Sequence, residues 1–473
     1  MIMLLSCCIT MILSVSVHSQ CLQDQSSSLL KFKQNVVFVS YNSFQLYTWN
    51  SSKDCCSWRG VTCNIHGHVI GLVLSNEGIV GEIPMDISNL IHLEILDLSS
   101  PTDSNNQQVL KLRELRMLVQ NLSNLTELYL DNVWITSSEN GNELSRALSS
   151  PSLQNLRVLH MSGCQLSGPI ESSAVHNLRK LRLTDLFLTG NKLNGSISST
   201  FWNQLSNLTF LDLSDNLLSG EIPKSLFEIS DSLVYIGLSH NRFSSLPTEF
   251  PMPSSSASQL HTLDIACNEI SGALPSWIWE MTNLITLNVS FNQVSGLLND
   301  HDDEFIPYLN GSQPFKLDLS CNRINGKLPS WIWEISYLGW LNVSHNFLVE
   351  IGKPSTKGLT SEMIVVDLHA NQIQGQIQFP PPSAHYINYS GNNFSSAIPI
   401  DLSYHINSTR FLFLSGNNLQ GSIPDSICHG FLRVLDLSNN SFTGKVPKCL
   451  FKSSPSLSAL KLSTNKLNRS ISD

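Results

Sequence analysis

The sequence predicts an α/β repeat fold, a right-handed leucine-rich-repeat solenoid, from three observations. The pattern Leu-x-x-Leu-x-Leu-x-x-Asn-x-Leu-x-Gly-x-Ile-Pro, written from Leu208 to Pro223, recurs sixteen times between His68 and Asp473. Successive copies lie 21 to 32 residues apart, most often 25. Four cysteines, Cys21, Cys55, Cys56 and Cys63, lie between the N-terminal apolar stretch and the first copy, where a solenoid needs a cap over the open end of its stack. Each copy supplies one strand and one return segment, which bury their apolar face against neighbouring copies.

Within a unit, we expect the leucines five and three residues before the asparagine to point inward and the residue between them to point outward. The asparagine also turns inward, where its amide can bond the backbone of adjacent turns. The outward residue is an aspartate in several units: Asp97, Asp212, Asp264, Asp318, Asp367 and Asp436. Neutral residues alternate with most of these aspartates, so we interpret them as a solvated face rather than a calcium site.

Residues 1–19 have the composition of a secretory signal peptide. An apolar stretch from Ile2 to Val17 precedes Val17-His18-Ser19, with small residues where a signal peptidase cleaves. A short membrane anchor is the alternative, and the length of the stretch argues against it. No later run of 18 apolar residues occurs, so we expect no membrane helix in the rest of the chain. The formal net charge of -9, without a Lys/Arg run, argues against a nucleic-acid partner.

Thirteen Asn-x-Ser/Thr sequons support entry into the secretory pathway. The candidate glycosylation sites are Asn50, Asn121, Asn124, Asn194, Asn207, Asn288, Asn310, Asn342, Asn388, Asn393, Asn407, Asn439 and Asn468. Asn288, Asn342 and Asn388 occupy the outward position between two leucines. Glycans there would obstruct the middle of the sheet.

Six of the eleven cysteines are candidates for disulfide bonds. Cys21, Cys55, Cys56 and Cys63 allow three pairings. Adjacent cysteines are not expected to bond each other, which favours Cys21 with Cys55 and Cys56 with Cys63. Apolar residues between them, after a run of serines, predict a short amphipathic helix over the first strand. Cys428 and Cys449 end neighbouring units and are expected to join them.

No pattern in the chain predicts catalysis, a cofactor or a metal site. Cys164, Cys267 and Cys321 are predicted to be unpaired and without a metal-binding role, since no Cys-x-x-Cys or clustered histidine accompanies them. Nucleotide-binding, metalloprotease, hydrolase and kinase motifs are absent from the sequence. We therefore predict a protein that is not an enzyme.

Two segments depart from the plain repeat, and one heptapeptide is duplicated within it. Residues 100–120 lengthen one return and predict a helix around Leu110 to Leu118. Residues 299–313 carry an acidic run that we interpret as a solvated insertion. The heptapeptide LPSWIWE occurs at both Leu274 and Leu328, so we interpret its tryptophans as packing residues of a duplicated pair of units.

The capping segment resembles that of plant extracellular leucine-rich-repeat receptors, in CLQDQ from Cys21, SLLKFK, DCCSWRGVTC from Asp54 and GHVIGL from Gly67. Further segments narrow the resemblance to receptor-like proteins of the Verticillium wilt disease resistance type. They are LVQNLSNLTELYLDNV from Leu118, NLRVLHMSGCQLSGPI from Asn155, VVDLHANQIQGQI from Val365 and SIPDSICHGFLRVLDLSNNSFTGKVPKCL from Ser422.

This resemblance implies the plant extracellular type of solenoid and supports both cap bridges and the Cys428 to Cys449 bridge. It implies a cell-surface immune receptor without its own kinase, which senses a pathogen-derived protein or peptide and signals through partner leucine-rich-repeat receptor kinases. Family members continue through further repeats, a closing cap, a membrane helix and a tail. We expect a signal peptide at 1–19, a cap at 20–67 and about sixteen units at 68–473, truncated before any C-terminal cap. The expected location is extracellular, or the plasma membrane if the full gene product carries the family's membrane helix.

Two other functions compete with the receptor. A secreted inhibitor of pathogen cell-wall hydrolases, of the polygalacturonase-inhibitor type, resembles this chain in cap and repeat, but the length and the subfamily segments argue against it. A passive wall protein would carry the Pro-rich or Gly-rich tracts that are missing here.

Exposed aromatic residues at outward positions are the candidate ligand surface, because they bury much area on binding and lose little entropy. They form two groups that flank the three outward sequon asparagines. The candidate residues are Phe187, Phe210 and Tyr235, then Tyr386, Phe411 and Phe413.

Overall fold

The computed structural model describes residues 20–38, 44–100, 109–136, 142–170, 182–202, 205–228, 232–248, 259–297, 314–335, 337–352, 363–378, 383–429, 431–452 and 457–468. The expected signal peptide, the acidic run within 299–313 and the sequon at Asn310 lie outside these residues. The chain divides into two compact units, 1–136 with 150–156 and 137–149 with 157–473. No helix of the described residues is long and apolar enough to cross a membrane.

The first unit opens with the amphipathic helix Gln23–Asn35. Its residues Gln25, Ser28, Leu29 and Phe32 are buried, at the spacing of one helix face. The Val69 amide donates to Gln25 Oε1 at 2.7 Å, which ties this helix to the first repeat strand. The remaining elements of the cap are Val36–Phe38, Phe44–Tyr47, Cys55–Ser57 and Val61–Cys63.

Two disulfides close this cap. Cys21 is bonded to Cys55 and Cys56 to Cys63, with Cα–Cα distances of 5.6 and 5.5 Å. Strand Val61–Cys63 pairs antiparallel with Val69–Val73. It thereby covers an edge of the first repeat strand that would otherwise present unpaired amides and carbonyls.

Three parallel strands follow in the first unit, Val69–Val73, Ile95–Asp97 and Glu127–Tyr129, with Leu72, Leu96 and Leu128 in register. The return strands are Ile79–Glu82, Leu110–Leu112 and Trp134–Ile135. The helical segments between them are Met85–Asn89, Leu115–Val119 and Pro151–Asn155.

The helix predicted around Leu110 to Leu118 is wrong in its first half. Leu110–Leu112 is a strand, and the helix is confined to Leu115–Val119. Leu110 and Leu112 are buried on either side of exposed Lys111, the alternation of a strand. Pairing with the neighbouring returns fixes this conformation, since Leu110 is opposite Gly81 and Lys111 opposite Trp134.

The second unit is built on one long parallel sheet. Its strands are Val158–His160, Asp185–Phe187, Phe210–Asp212, Tyr235–Gly237, Thr262–Asp264, Thr286–Asn288, Phe315–Asp318, Leu338–Asn342, Val365–Asp367, Tyr386–Asn388, Phe411–Phe413, Val434–Asp436 and Ala459–Lys461. Each pairs with the next without a shift at the central leucine, isoleucine or valine. A side chain at a given place in the repeat therefore lies beside its counterpart in the next unit, about 4.8 Å away.

Short strands and helical turns return the chain to this sheet. The return strands are Ser167–Pro169, Lys192–Gly195, Leu217–Glu221, Arg242–Ser245, Ser271–Ala273, Gln293–Gly296, Asn325–Leu328, Phe347–Ile351, Gln374–Gly375, Asn393–Phe394, Gln420–Gly421, Ser441–Gly444 and Lys466–Leu467. The helical segments are Glu143–Leu148, Ser199–Trp202, Ser225–Glu228, Ser276–Glu280, Ser330–Glu334, Leu402–His405, Asp425–His429 and Cys449–Lys452. Cys428 and Cys449 are bonded across the last two of these, at a Cα–Cα distance of 6.0 Å.

Buried asparagines tie the strands of the second unit together, which confirms their predicted inward orientation. Asn216 Nδ2 donates to Leu188 O at 2.9 Å and to Leu213 O and Ser214 O at 3.1 Å, while Oδ1 accepts from the Leu193 amide at 3.0 Å. Every such asparagine satisfies buried backbone groups of two adjacent turns. The same bonds recur at buried Asn191, Asn241, Asn268, Asn292, Asn322, Asn346, Asn371 and Asn417, and at half-buried Asn392, Asn440 and Asn465.

The tryptophans of the duplicated heptapeptide are packing residues, as predicted. Trp277, Trp279, Trp331 and Trp333 are buried, and the rings of Trp279 and Trp331 meet edge to face with centroids 5.0 Å apart. Three indole nitrogens donate to buried backbone carbonyls, at Pro247, Leu297 and Gly352.

Candidate ligand-binding surface

The long sheet of the second unit presents two columns of residues on its outward face, because the strands bury their central residue, except for half-buried Leu460, and leave most residues beside it at least partly exposed. Gly237 and Asp436 are the buried members of these columns. We call the residues after the buried one the aspartate column: His160, Phe187, Asp212, Gly237, Asp264, Asn288, Asp318, Asn342, Asp367, Asn388, Phe413, Asp436 and Lys461. We call those before it the aromatic column: Val158, Asp185, Phe210, Tyr235, Thr262, Thr286, Lys316, Trp340, Val365, Tyr386, Phe411, Val434 and Ala459.

The carboxylates of the aspartate column close turns at the strand ends. Oδ1 of Asp212, Asp264, Asp318 and Asp367 accepts a hydrogen bond from the amide two residues on, at 2.9 to 3.1 Å. Asn342 and Asn388 extend this network by donating from Nδ2 to the carboxylates of Asp318 and Asp367, both at 3.2 Å. A carboxylate beside an amide is favourable on adjacent strands, where two carboxylates would repel. The column is thus a hydrogen-bonded structural feature of the sheet.

Partial burial shifts the pKa of two of these carboxyl groups. Burial raises the pKa of Asp264 above its usual range, while the hydrogen bond from the Ala266 amide acts in the opposite direction. Burial likewise raises the pKa of Asp367, opposed by the hydrogen bond from the His369 amide. Both aspartates therefore hold a proton more readily than an exposed carboxyl.

Among the described residues, one group of potential metal-ligand atoms lies close together, formed by Cys21, Asp54, Cys55 and Cys56. Its three cysteines are all in disulfide bonds. The Asp54 carboxylate accepts from the Cys21 and Cys56 amides, both at 3.0 Å, so it orders the cap.

The first aromatic group, Phe187, Phe210 and Tyr235, lies on three successive strands. The Phe187 ring meets the His160 ring with centroids 4.4 Å apart, and 37% of Phe210 is exposed. Tyr235 lies across Gly237, where an added Cβ would be 2.9 Å from the phenol oxygen and 2.8 Å from Asp212 Oδ1. Burial, then the charges of Asp212 and Asp264, raises the pKa of Tyr235 to about 12.

The second aromatic group, Tyr386, Phe411 and Phe413, is one cluster. The Tyr386 ring centroid lies 6.3 Å from that of Phe411 and 5.5 Å from that of Phe413, within the range of favourable aromatic pairs. All three side chains are half-buried, so the cluster offers a preformed apolar surface. The structure therefore places the second predicted group in one cluster and the first on three successive strands of the same face.

Two outward features were missed by the sequence predictions. Trp340 is 43% exposed in the aromatic column, between Lys316 and Val365. Its position six residues before Asn346 is the same as that of Phe210 before Asn216, and this offset could have identified it. The second feature is an open pocket of about 470 Å³ lined by His385, Asn407, Ser408, Arg410, Phe431 and Arg433.

The sequon asparagines fall into two classes by exposure. Asn50, Asn121, Asn124, Asn194, Asn207, Asn393, Asn407, Asn439 and Asn468 are exposed. Asn288, Asn342 and Asn388 are half-buried in the aspartate column, and each Oδ1 accepts from the hydroxyl of its own sequon serine. In Asn342 and Asn388 the Nδ2 atom, to which a glycan would attach, already donates to a carboxylate. The glycan-covered centre expected from the sequence stays a prediction.

Comparisons with known proteins agree with this architecture. The leucine rich repeat N-terminal domain matches residues 22–64, and the Leucine Rich Repeat matches 155–176, 207–229, 259–281, 315–335, 408–429 and 431–453. Receptor-like protein 54 of Arabidopsis thaliana is 32% identical over 257 residues, which are 46% of this chain and 29% of that protein. Receptor-like protein 7 of the same plant is 33% identical over 135 residues, 28% of this chain and 11% of that protein. The chain thus spans less than a third of the length of these relatives.

Solved structures show the same fold. The ectodomain of the Arabidopsis receptor kinase HAESA, in complex with an IDA peptide hormone ligand, aligns with a TM-score of 0.57 and 22% identity over 93% of this chain and 81% of that chain. The PEPR1–AtPEP1 complex aligns with a TM-score of 0.56 and 22% identity over 94% of this chain and 69% of that chain. The chain has the leucine-rich-repeat solenoid fold of plant receptor ectodomains, with disulfides in its N-terminal region.

Proposed function

We propose that this chain is the extracellular ligand-sensing part of a plant immune receptor without its own kinase, of the Verticillium wilt resistance type. Its outward sheet face binds a pathogen-derived protein or peptide, and the full receptor signals through partner receptor kinases. The observation that carries this proposal is the pair of aromatic groups on one sheet, separated along it by the hydrogen-bonded stretch of the aspartate column from Asp264 to Asp367. Aromatic anchors on a rigid surface bind with little entropy lost.

The similarity to receptor-like proteins and the fold shared with peptide-bound receptor ectodomains support a binding role rather than catalysis. The extended strand array suits an extended peptide, which can contact several units at once. Localisation at the cell surface follows from the same proposal.

Retention of random nonapeptide pools on the immobilised secreted chain tests the binding face. We expect the triple changes F187A/F210A/Y235A and Y386A/F411A/F413A each to lower retention at least about tenfold, since an anchor residue contributes about 2 kcal/mol or more. The matched control is F44A/Y47A/Y404A, which removes aromatics that are 66%, 73% and 68% exposed but lie off the long sheet.

Equal losses in the control and the sheet variants, or no loss in either sheet variant, would contradict a sheet-face ligand site. Inhibition of a purified polygalacturonase by the chain, without peptide retention, would instead support the secreted inhibitor. Pathogen origin is tested by comparing retention from digests of fungal culture filtrate and of host apoplastic fluid.

A further inference from the structure

The pocket of His385, Arg410 and Arg433 lies beside the second aromatic group and is positively charged in a chain of formal net charge -9. The three residues occupy the same place in successive units. The Arg410 amide donates to His385 O at 2.8 Å and the Arg433 amide to Arg410 O at 2.7 Å. Their side chains therefore begin about one strand spacing apart, on neighbouring strands.

These side chains share the outward face with the aromatic group. The His385 carbonyl accepts from both the Arg410 and the Phe411 amides, at 2.8 and 3.1 Å. Because the amides of Arg410 and Phe411 point to the same acceptor, the alternation of side chains between the two faces begins only after Arg410. The side chain of Arg410 is exposed and that of Phe411 is half-buried, so both remain accessible.

Like charges on adjacent strands repel each other, and a carboxylate placed between them would be favourable. Neither Arg410 nor Arg433 forms a salt bridge with a carboxylate of the described residues. The nearby Asp436 is engaged elsewhere, since Oδ1 accepts from Ser438 and Oδ2 lies 3.6 Å from Lys461 Nζ. Among the described residues, no carboxylate therefore occupies the hydrogen-bonding groups of these two guanidinium groups.

The wall of this pocket is held in place from beneath. Thr409 is fully buried, and its hydroxyl donates to Ala384 O at 2.8 Å, which fixes the loop bearing Asn407 and Ser408. Phe431, 67% exposed, adds an apolar surface to the same rim. The pocket combines two guanidinium groups with the apolar surface of Phe431.

We propose that this pocket is a carboxylate subsite, which takes an acidic side chain or a free C-terminus of the bound peptide while neighbouring apolar residues cover Tyr386, Phe411 and Phe413. A guanidinium matches a carboxylate with two parallel hydrogen bonds, and a second guanidinium one strand away completes the clamp. This inference rests on the proposed peptide binding and names the chemistry of its second half.

Three random nonapeptide pools test the subsite: one with a fixed central glutamate and an amidated terminus, one with glutamine and an amidated terminus, and one with glutamine and a free terminus. We expect at least one carboxylate pool to be retained about tenfold better than the amidated glutamine pool. The pool that is retained identifies whether the carboxylate comes from a side chain or a terminus. Retention should fall as NaCl rises.

The variants Arg410→Gln and Arg433→Gln should lose this preference, and Arg410→Lys should keep part of it because the charge remains without the fork. Arg157→Gln is the matched control, an exposed arginine at the same place in the repeat of Val158–His160, and it should retain the preference. Asn407→Gln removes the sequon at the rim and should bind at least as well as the parent chain.

Equal retention of all pools, or loss of the preference in Arg157→Gln as well, would overturn the subsite while the peptide-binding function stands. Loss of retention in Asn407→Gln would also overturn it, because the glycan would then carry the binding. If no pool is retained, the proposed function fails with it. Retention of an oligogalacturonide and of no peptide would assign the arginines to a sugar acid instead.

Discussion

Two adjacent asparagines, Asn417 and Asn418, offer a matched test of how the repeat is held together. Asn417 is buried: its Oδ1 accepts from the Phe394 amide at 3.1 Å, and its Nδ2 donates to Tyr389 O, Leu414 O and Ser415 O at 3.0 to 3.3 Å. The side chain of Asn418 is exposed beside that of Asn393. Changing each to alanine removes the same atoms from opposite environments.

The loss of stability expected in Asn417→Ala depends on which backbone groups lose their only hydrogen-bond partner. Tyr389 O keeps a hydrogen bond from Asn392, Leu414 O one from Asn440 and Ser415 O one from the Gly391 amide. The Phe394 amide has no such substitute, and a buried orphan donor costs about 1–3 kcal/mol. Loss of the net contribution of the Nδ2 bonds adds about 1 kcal/mol, so we expect roughly 2–4 kcal/mol in total. Asn418→Ala should change stability by less than about 0.5 kcal/mol.

Amide hydrogen exchange is the appropriate assay, because a repeat array opens locally and a single global free energy would average over its units. Protection of the Phe394 amide should fall roughly 30-fold to 700-fold in Asn417→Ala. It should be almost unchanged in Asn418→Ala, whose backbone amide still donates to Phe394 O. Protection that differs less than about threefold between the two variants would refute the account of the buried asparagines.

Three further predictions follow from the surface and the cap. Burial raises the folded pKa of Asp264 above its unfolded value, so its contribution to stability is present below about pH 3.9 and is lost as the pH rises through the folded pKa. Asp264→Asn should therefore raise the Tm at about pH 7 and leave it nearly unchanged below about pH 4. A Tm shift that does not depend on pH would contradict this. Gly237→Ala should displace the Tyr235 phenol and lower its pKa from about 12 toward 10, seen as an additional tyrosinate absorbance step. Cys63→Ser should remove about 2–4 kcal/mol from the cap and reduce secretion, whereas Cys267→Ser should leave secretion normal; equal secretion of both variants would contradict the capping role.

The interior of this fold is predictable from sequence because the repeat places each buried residue at a fixed offset from its partners. Asn216 bonds to Leu213 and Ser214 of its own turn and to Leu188 of the turn before, and the spacing of the pattern fixes all three partners. The tryptophans of the duplicated heptapeptide were predictable for the same reason, since two copies in equal context point to packing. The segment around Leu110–Leu112 was not predictable in this way. Its strand depends on pairing with Gly81 and Trp134, and the lengthened return at residues 100–120 lacks the regular offset that would identify these partners.

The candidate surface was predictable in part, because residues at the same offset from the asparagine in successive units become neighbours when the strands pair without a shift in register. Tyr386 and Phe411 precede their asparagines by six residues and Phe413 by four, so parallel pairing without a shift had to bring their rings together. The sequence predictions missed the arginine pocket because each of its basic residues is ordinary when its own unit is considered alone. His385, Arg410 and Arg433 each stand seven residues before the asparagine of their unit, and only comparison of that position across successive units reveals the cluster.

The repeat pattern fixes which residue types occupy the buried positions and leaves the outward positions free to vary. Outward positions where like charges lie on adjacent strands without a neutral residue or an opposite charge between them are therefore informative about function. The aspartate column avoids this arrangement: Asp318 faces Asn342, Asp367 faces Asn388, and the amides neutralise the repulsion between carboxylates. Arg410 and Arg433 form it, because like charges stand on adjacent strands while Asp436 is held by Lys461 and Ser438. In the aspartate column an amide side chain separates neighbouring charges, whereas no such residue separates Arg410 from Arg433. Both arginines are therefore available to a partner. The aspartate column therefore serves the fold, and the pair of arginines is the part of the face on which the proposed carboxylate subsite rests.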